Sequence, residues 1–288
     1  MKKKAGKNKF IRILPVLFLA AGLSLLLYPT VSNWWNNRIQ GQVIVEYNDK
    51  MAEFEEGEAL ALRQAAQDYN RRLSSGTSLE TLKEEYYDIL NPYDTGYMGY
   101  LEIPAISVKL PIAHGTDDAV LEKAVGHLDW TSLPVGGPST HSVLSGHSGL
   151  VSAEILTNLN LIEMGDRFYI HVLDETLEYK VDAINVVLPD ETDLLTIMRG
   201  KDYVTLVTCT PYGINTHRLL VRGERVDSED RQTETVMLSV RNEIEPISLV
   251  VLLPIGSGAI LLLMYLLSQM EQKIRKVRTH EKHQTKVE

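Results

Sequence analysis

Apolar residues are distributed unevenly along the 288-residue chain, and two runs, residues 13–31 and 247–267, contain no charged residue. A helix of about 20 apolar residues spans the hydrocarbon core of a bilayer, so both runs are predicted membrane helices. The first run is shorter and follows a basic start, which also suits a cleaved signal peptide. Because no small-residue cleavage site is obvious before Trp34, we predict an uncleaved anchor. Tyr28, Trp34 and Trp35 suit an interfacial aromatic belt beside it.

Between the two runs the pattern of apolar positions changes once. Residues 38–98 are rich in Ala, Leu, Glu and Arg, with breaks at Ser75-Gly76 and Asn91-Pro92, and are predicted to form a helical extension. Residues 99–226 contain short runs of strand-forming residues separated by turn residues. The predicted strands are 99–103, 108–112, 142–144, 167–172, 177–187, 203–208 and 217–226, with short helices at 119–125 and 152–158. Many short strands without β-α-β alternation indicate a mostly β domain, either a closed barrel or a sandwich.

Charge is segregated along the chain as well. The formal net charge is −9, yet residues 1–12 carry six basic groups and no acid, and residues 271–288 carry six basic groups against three acids. Because Lys and Arg concentrate on the cytoplasmic side of membrane helices, we expect both termini in the cytoplasm and residues 38–245 outside. Residues 227–246 are then an acidic tether and residues 268–288 a basic tail. The acidic balance argues against a nucleic-acid partner.

The chain has one cysteine, Cys209, which follows the predicted strand 203–208. An unpaired thiol in an outward-facing domain is a candidate reactive group, although a buried inert cysteine is an equally ordinary interpretation of the residue alone. Arg218 begins the next predicted strand, and a hairpin would place it beside Cys209. There a guanidinium could favour the thiolate or donate to a developing oxyanion. A surface arginine on a strand is the alternative.

A thiol nucleophile also needs a base, and the chain offers eight histidines. His141 and His147 share one segment, in which a predicted strand ends in Gly146-His147-Ser148-Gly149 and leaves the imidazole of His147 on a loop. A strand-end histidine together with a strand-end cysteine indicates a possible catalytic pair. No histidines, cysteines and carboxylates stand at metal-ligand spacing, so we expect neither a metal nor another cofactor.

Three segments resemble one known family. TLVTCTPYGINTHRLLVRG, residues 205–223, closely resembles the sortase signature, a T-L-x-T-C strand followed by an arginine in the next strand. The histidine segment of that family resembles residues 136–150, GGPSTHSVLSGHSGL. The start of its barrel resembles residues 100–112, YLEIPAISVKLPI. The resemblance covers residues 91–226. It implies an eight-stranded β-barrel domain, residues 99–226, with short helices.

The resemblance also implies an activity and the residues that perform it. Sortases are transpeptidases that cut a C-terminal sorting signal of the LPXTG type and transfer the acyl group to an amine. Carried over to this sequence, Cys209 is the nucleophile, His147 the general acid and base, and Arg218 the group that stabilises substrate or oxyanion. Thr208 matches a position associated with substrate contact.

The helical extension and the second apolar run resemble class C, the pilus-assembling sortases. Their lid carries an Asp-Pro-aromatic motif, and the corresponding stretch here is Asn91-Pro92-Tyr93. We expect Tyr93 to cover Cys209, and we expect Asn91, which can form a hydrogen bond but no ion pair, to hold the lid less firmly than Asp. The alternative is that Asn91-Pro92 only ends a helix.

The implied partners are pilin subunits with an LPXTG-like signal and an acceptor lysine, and the lipid bilayer. The implied location is the cell membrane, with the catalytic domain outside. Three alternatives remain: a housekeeping sortase that anchors proteins to peptidoglycan, a cysteine peptidase with the same Cys and His, and a two-span receptor that only binds peptide.

Overall fold

The computed structural model describes residues 5–150 and 153–226, except for the side chains of residues 5–14, 16, 56 and 93. The predicted tether, second membrane helix and basic tail, residues 227–288, lie outside the described residues. Residues 31–226 belong to one structural unit, and residues 5–30 belong to another and are helical. Among the described residues, one stretch within Leu17–Glu53 is long and apolar enough to cross a membrane, by length and composition only.

The regular elements alternate little between helix and strand. The α-helices are α1 (Ala5–Glu53), α2 (Glu56–Ser74), α3 (Leu79–Tyr86) and α4 (Asp118–Leu121). The strands are β1 (Tyr97–Ile103), β2 (Val108–His114), β3 (Val125–His127), β4 (Thr140–Ser145), β5 (Arg167–Val172), β6 (Glu175–Val187), β7 (Asp202–Thr210) and β8 (His217–Arg225).

The strands close into an eight-stranded barrel in the order β1-β2-β3-β4-β7-β8-β6-β5, which confirms the barrel implied by the resemblance. Most neighbours are antiparallel, whereas β2 pairs with β3 and β4 pairs with β7 in parallel. Strand β3 has only three residues and was not predicted, because it follows a helix-like stretch. The helix predicted at 119–125 is correspondingly only Asp118–Leu121, and the helix predicted at 152–158 has no α-helical residue in its described part, 153–158.

The extension continues the barrel core. Tyr69 of α2 and Tyr86 of α3 are fully buried in the same apolar cluster as the barrel residues Leu101 and Phe168. The amide of Asn70 bonds both backbone groups of Leu133, in the β3–β4 connection, at 3.0 and 2.7 Å. Helices α2 and α3 therefore pack where β4 begins, away from the end of β4 that leads to His147.

The later half of α1 lies across the outside of the barrel. The Tyr47 hydroxyl donates to the Met98 carbonyl and accepts from the Leu173 amide. About two helical turns before Tyr47, the Gln40 amide donates to the Lys123 carbonyl at 3.0 Å. These buried contacts fix the helix against the domain.

Candidate active site

Cys209 and Arg218 are register partners on neighbouring antiparallel strands, β7 and β8. The expected hairpin arrangement is therefore confirmed. Leu206 and Leu219 of the same strands face the barrel core, so alternation places Cys209 and Arg218 on the outer face. Both are half-buried, and the thiol is free.

Arg218 is held by backbone groups. Its Nη1 donates to the carbonyls of Asn215, at 3.2 Å, and His217, at 3.1 Å. In the described part of the chain no carboxylate forms an ion pair with this guanidinium. Its remaining N–H groups can therefore donate to a carbonyl oxygen or an oxyanion beside Cys209.

His147 approaches the other side of the cysteine strand. Strands β4 and β7 are parallel, with Ser145 opposite Val207, and the Gly146 amide continues the ladder by donating to the Val207 carbonyl at 3.0 Å. One place further along this register brings His147 level with Cys209. Neighbouring strands lie roughly 4.8 Å apart, so His147, Cys209 and Arg218 stand side by side with the cysteine in the middle.

Thr208 connects these two segments. Its side chain is buried, and its hydroxyl donates to the Gly146 carbonyl at 2.8 Å. The sequence resemblance assigned substrate contact to this residue. The geometry instead gives its hydroxyl a bond that positions the backbone next to His147.

The segment after His147 is fastened to it. The Leu156 amide donates to the His147 carbonyl at 3.0 Å. A Cβ on Gly146 would lie 2.8 Å from Cγ of Leu156, so only glycine fits under this loop without a rearrangement. The local sequence Ser145-Gly146-His147 therefore both ends β4 and allows residues 153–158 to pack behind the histidine.

Tyr212 is a neighbour of the site that the sequence did not indicate. Gly149 has a φ of +83°, and a Cβ there would lie 3.1 Å from Cε2 of Tyr212. The ring of Tyr212 thus rests on the backbone of the His147 loop, although it is largely exposed. No local signal marks this contact, because it joins two loops that are distant in sequence.

The other histidine of the segment, His141, has a structural role. Its Nε2 lies 2.7 Å from Oγ1 of Thr205 and its Nδ1 lies 3.0 Å from the Thr196 carbonyl. Burial lowers the pKa of this imidazole. His141 therefore fastens the β6–β7 connection to β4 and leaves His147 as the histidine beside the thiol.

An apolar cluster adjoins the site on the outer face. Val207 lies two residues before Cys209, and Leu220 lies two residues after Arg218. Both side chains pack with Val143 and with Leu195 of the β6–β7 connection.

Among residues 5–150 and 153–226, no group of three or more His, Cys, Asp or Glu side chains is placed to hold a metal ion.

Asn91 and Pro92, the first two residues of the expected lid, form a turn before β1. The Asn91 side chain accepts from the Gly96 amide at 2.7 Å and donates to the Tyr87 carbonyl at 3.0 Å, so it closes its own turn. This turn leads into β1, which is four strands from β7 in either direction around the barrel. Pro92 is buried, and the side chain of Tyr93 lies outside the described residues. The hydrogen bonds of Asn91 favour the alternative that Asn91-Pro92 ends a helix, and a lid formed by Tyr93 over Cys209 stays a prediction.

Comparisons with known proteins agree with this geometry. The family model described as Sortase domain matches residues 101–226. The sortase C1 structure of Streptococcus agalactiae is 44% identical, with a TM-score of 0.63, and the alignment covers 65% of this chain and 98% of that one. Sortase C of Clostridium perfringens, solved with its C-terminal cell wall sorting motif, is 48% identical with a TM-score of 0.59, over 65% and 98% of the two chains. Sortase D of Bacillus subtilis is 27% identical over 75% of this chain and 98% of its own length. The chain belongs to the sortase family of cysteine transpeptidases.

Proposed function

We propose that this protein is a membrane-anchored class C sortase that joins pilin subunits through lysine side chains. The observation that carries the proposal is the strand register, which pairs Cys209 with Arg218 and, continued two residues beyond Ser145 and Val207, brings His147 level with Cys209. The class follows from the similarity to sortases C at 44% and 48% identity and from the helical extension packed on the barrel. The anchor is the apolar stretch within α1.

In the first half-reaction the Cys209 thiolate attacks the carbonyl carbon between Thr and Gly of an LPXTG-like signal. The developing oxyanion accepts hydrogen bonds from the Arg218 guanidinium, which has no carboxylate partner among the described residues. As the C–N bond breaks, the His147 imidazolium gives its proton to the leaving amine. The products are a thioester on Cys209 and a released C-terminal segment.

In the second half-reaction a lysine amine of the next subunit attacks the thioester. His147, now neutral, takes a proton from the attacking amine, and the Cys209 thiolate leaves. An isopeptide bond forms and the enzyme returns to its starting state. The same three residues therefore serve both steps, with His147 changing from acid to base.

The acceptor is what distinguishes this proposal from a housekeeping role. Sortases of other classes are also among the relatives, including sortase D of Bacillus subtilis. A peptidoglycan amine in place of the pilin lysine would give the same thioester and a different product. Hydrolysis by a simple peptidase is disfavoured, because the third group of this site is the Arg218 guanidinium, whereas a cysteine peptidase uses Asn or Asp to orient its histidine.

The test uses the full chain in detergent with a pilin subunit that carries an LPXTG-like signal. We expect SDS-resistant ladders joined through lysine, present with wild type and absent with Cys209→Ala. A peptidoglycan stem peptide is added in a parallel reaction. If only the stem peptide is coupled, the protein anchors surface proteins instead. If the signal is cut and water is the sole acceptor with both amines present, the transpeptidase proposal fails.

A further inference from the structure

Strand β6 has 13 residues, and the strand on one side of it, β5, has only 6. On that side β5 pairs with residues 175–180, and two backbone bonds of Val181, with Gly165 and Asp166, end the contact. On the other side β8 pairs with β6 as far as its last residue. Along residues 182–187, β6 is therefore paired on one side only within the described part of the chain. We call its other side the free edge.

The free edge begins at a bulge and is exposed. The register with β8 shifts between Val181 and Ala183, and bulges often end strand pairing beside active sites. Beyond the bulge, Ile184 is 36% exposed and Val186 is 60% exposed. Among the described residues, the backbone of 182–187 forms no hydrogen bond outside its pairing with β8. An exposed row of unpaired N–H and C=O groups with apolar side chains is a template for a further strand.

The free edge ends close to the catalytic residues. Val187, its last residue, is the register partner of Arg218, and Arg218 is the register partner of Cys209. A strand added at the free edge is therefore the third strand from β7, and at roughly 4.8 Å per strand it lies roughly 14 Å from Cys209. An extended chain advances about 3.3 Å per residue. A few residues beyond the paired segment, together with a lysine side chain, span that distance.

The turn that directly follows the free edge is acidic. Asp190, Glu191 and Asp193 are exposed, and none of them forms an ion pair with another described residue. The Glu191 carboxylate also accepts from the Leu188 amide at 2.9 Å, which fixes this turn at the end of β6. Three carboxylates at this place attract a cationic segment and offset the repulsion between its ammonium group and Arg218.

We propose that the free edge binds the acyl acceptor by β-strand addition: an extended segment with alternating apolar residues pairs with residues 182–187 and presents a lysine to the thioester on Cys209. The inference rests on the proposed function, because it takes a lysine as the acceptor. The donor signal is already attached to Cys209 when the acceptor arrives, so the acceptor needs a surface of its own. Main-chain bonds and the side chains of Ile184 and Val186 bind the segment, and the acidic turn selects a cationic one.

The test compares two acceptor peptides, using the full chain in detergent after it has reacted with an LPXTG-like peptide. Both acceptors alternate valine and threonine and carry one lysine near an end. The second is N-methylated at every valine and threonine, so it has the same side chains but cannot donate main-chain hydrogen bonds. We expect half-maximal transfer to the unmethylated peptide at a several-fold lower concentration than to the methylated peptide or to free lysine.

A second readout uses Val186→Lys, which places a charge on the free edge. Leu60→Lys is the matched control, since Leu60 on α2 is also an exposed aliphatic residue. We expect Val186→Lys to form the acyl-enzyme and to discharge it to free lysine at wild-type rates, but to need a several-fold higher concentration of the unmethylated peptide. Leu60→Lys is expected to change none of these. An equal effect of both substitutions, or slower acylation by Val186→Lys, contradicts the proposal.

The outcomes separate this inference from the proposed function. If free lysine and both peptides discharge the thioester equally well, lysine is an acceptor and the free edge does not bind it. If none of the three discharges the thioester, the lysine-acceptor function fails, and this inference fails with it. Amide hydrogen exchange in residues 182–187 should slow when the unmethylated peptide is added. Slowing that follows the concentration of the enzyme and not that of the peptide would show that the free edge pairs with a second copy of the chain instead.

Discussion

The hydroxyl of Thr208 donates a hydrogen bond to the carbonyl oxygen of Gly146, 2.8 Å away and 62 residues distant in sequence. The bond is buried and joins the residue before the nucleophile to the residue before the histidine. The relative position of Cys209 and His147 therefore depends on a bond between the two strands rather than on either strand alone.

We predict that Thr208→Val lowers kcat roughly tenfold and leaves KM for a signal peptide nearly unchanged, because a buried carbonyl that loses its donor costs about 1–3 kcal/mol. Thr208→Ser keeps the donor and is the matched control. Steady-state kinetics on both variants distinguish a role of Thr208 in positioning the backbone of Gly146 from a role in contacting the substrate. A large rise in KM with kcat preserved would instead support the substrate contact implied by the resemblance.

Arg218→Gln is expected to slow formation of the acyl-enzyme by about 10²–10³, the usual loss on removal of an oxyanion donor. Arg218→Lys keeps the charge but not the planar pair of donors, so it recovers only part of the rate. The measurement is single-turnover peptide cleavage, with thermal unfolding as a check on folding. Wild-type rates in Arg218→Gln would remove this residue from the mechanism.

The Asn91-Pro92-Tyr93 turn leads to a prediction about how accessible the Cys209 thiol is. Because Asn91 closes its own turn and the turn leads into β1, opposite β7, we expect Tyr93→Ala to leave the rate of Cys209 alkylation unchanged. The comparison is with wild type under native conditions and in denaturant, where the thiol is fully accessible. A clear increase for Tyr93→Ala in the native protein would restore the lid at this position.

Acid should weaken the attachment of the helical extension. His127 is completely buried beside Tyr86 of α3, and burial lowers the pKa of its imidazole to about 4. The unfolded chain takes up this proton near the ordinary histidine value, so stability is full above about pH 6.5 and falls as the pH drops toward 4. The loss from this group is about 3 kcal/mol at most, since one pKa unit corresponds to about 1.4 kcal/mol.

Denaturant unfolding of wild type and His127→Gln at several pH values checks this point. The glutamine variant lacks the titrating group, and we expect its stability to depend less on pH between 6.5 and 4. His114, whose pKa burial also lowers, is present in both proteins and cancels in the comparison. Identical pH profiles for the two proteins would show that His127 does not titrate across this window.

Sequence alone could predict Cys209 beside Arg218, because both lie at the ends of adjacent strands of one hairpin and hairpin pairing is local. It could identify His147 only through a family resemblance, since the pairing of β4 with β7 is parallel and joins segments about 60 residues apart. The partner of Thr208 and the contact of Tyr212 with Gly149 depend on that same long-range pairing, and no local pattern encodes them.

The errors have equally physical causes. Strand β3 is too short to show a period of two, and it begins where the helix predicted at 119–125 ends, so it was not predicted as a strand. Asn91-Pro92 matched a motif by residue type, yet the observed hydrogen bonds of Asn91 are those of a tight turn before a strand. Residue type without the strand order could not distinguish a turn from a lid.

The central claim is that Cys209 carries the acyl group between the two half-reactions. Intact-mass analysis of the full chain, mixed with an LPXTG-like peptide and quenched in acid, tests it directly. We predict an adduct of the peptide up to its threonine on Cys209, discharged by a lysine amine into an isopeptide product and absent in Cys209→Ala. Continued peptide transfer by Cys209→Ala, or an adduct on any other residue, would contradict the account.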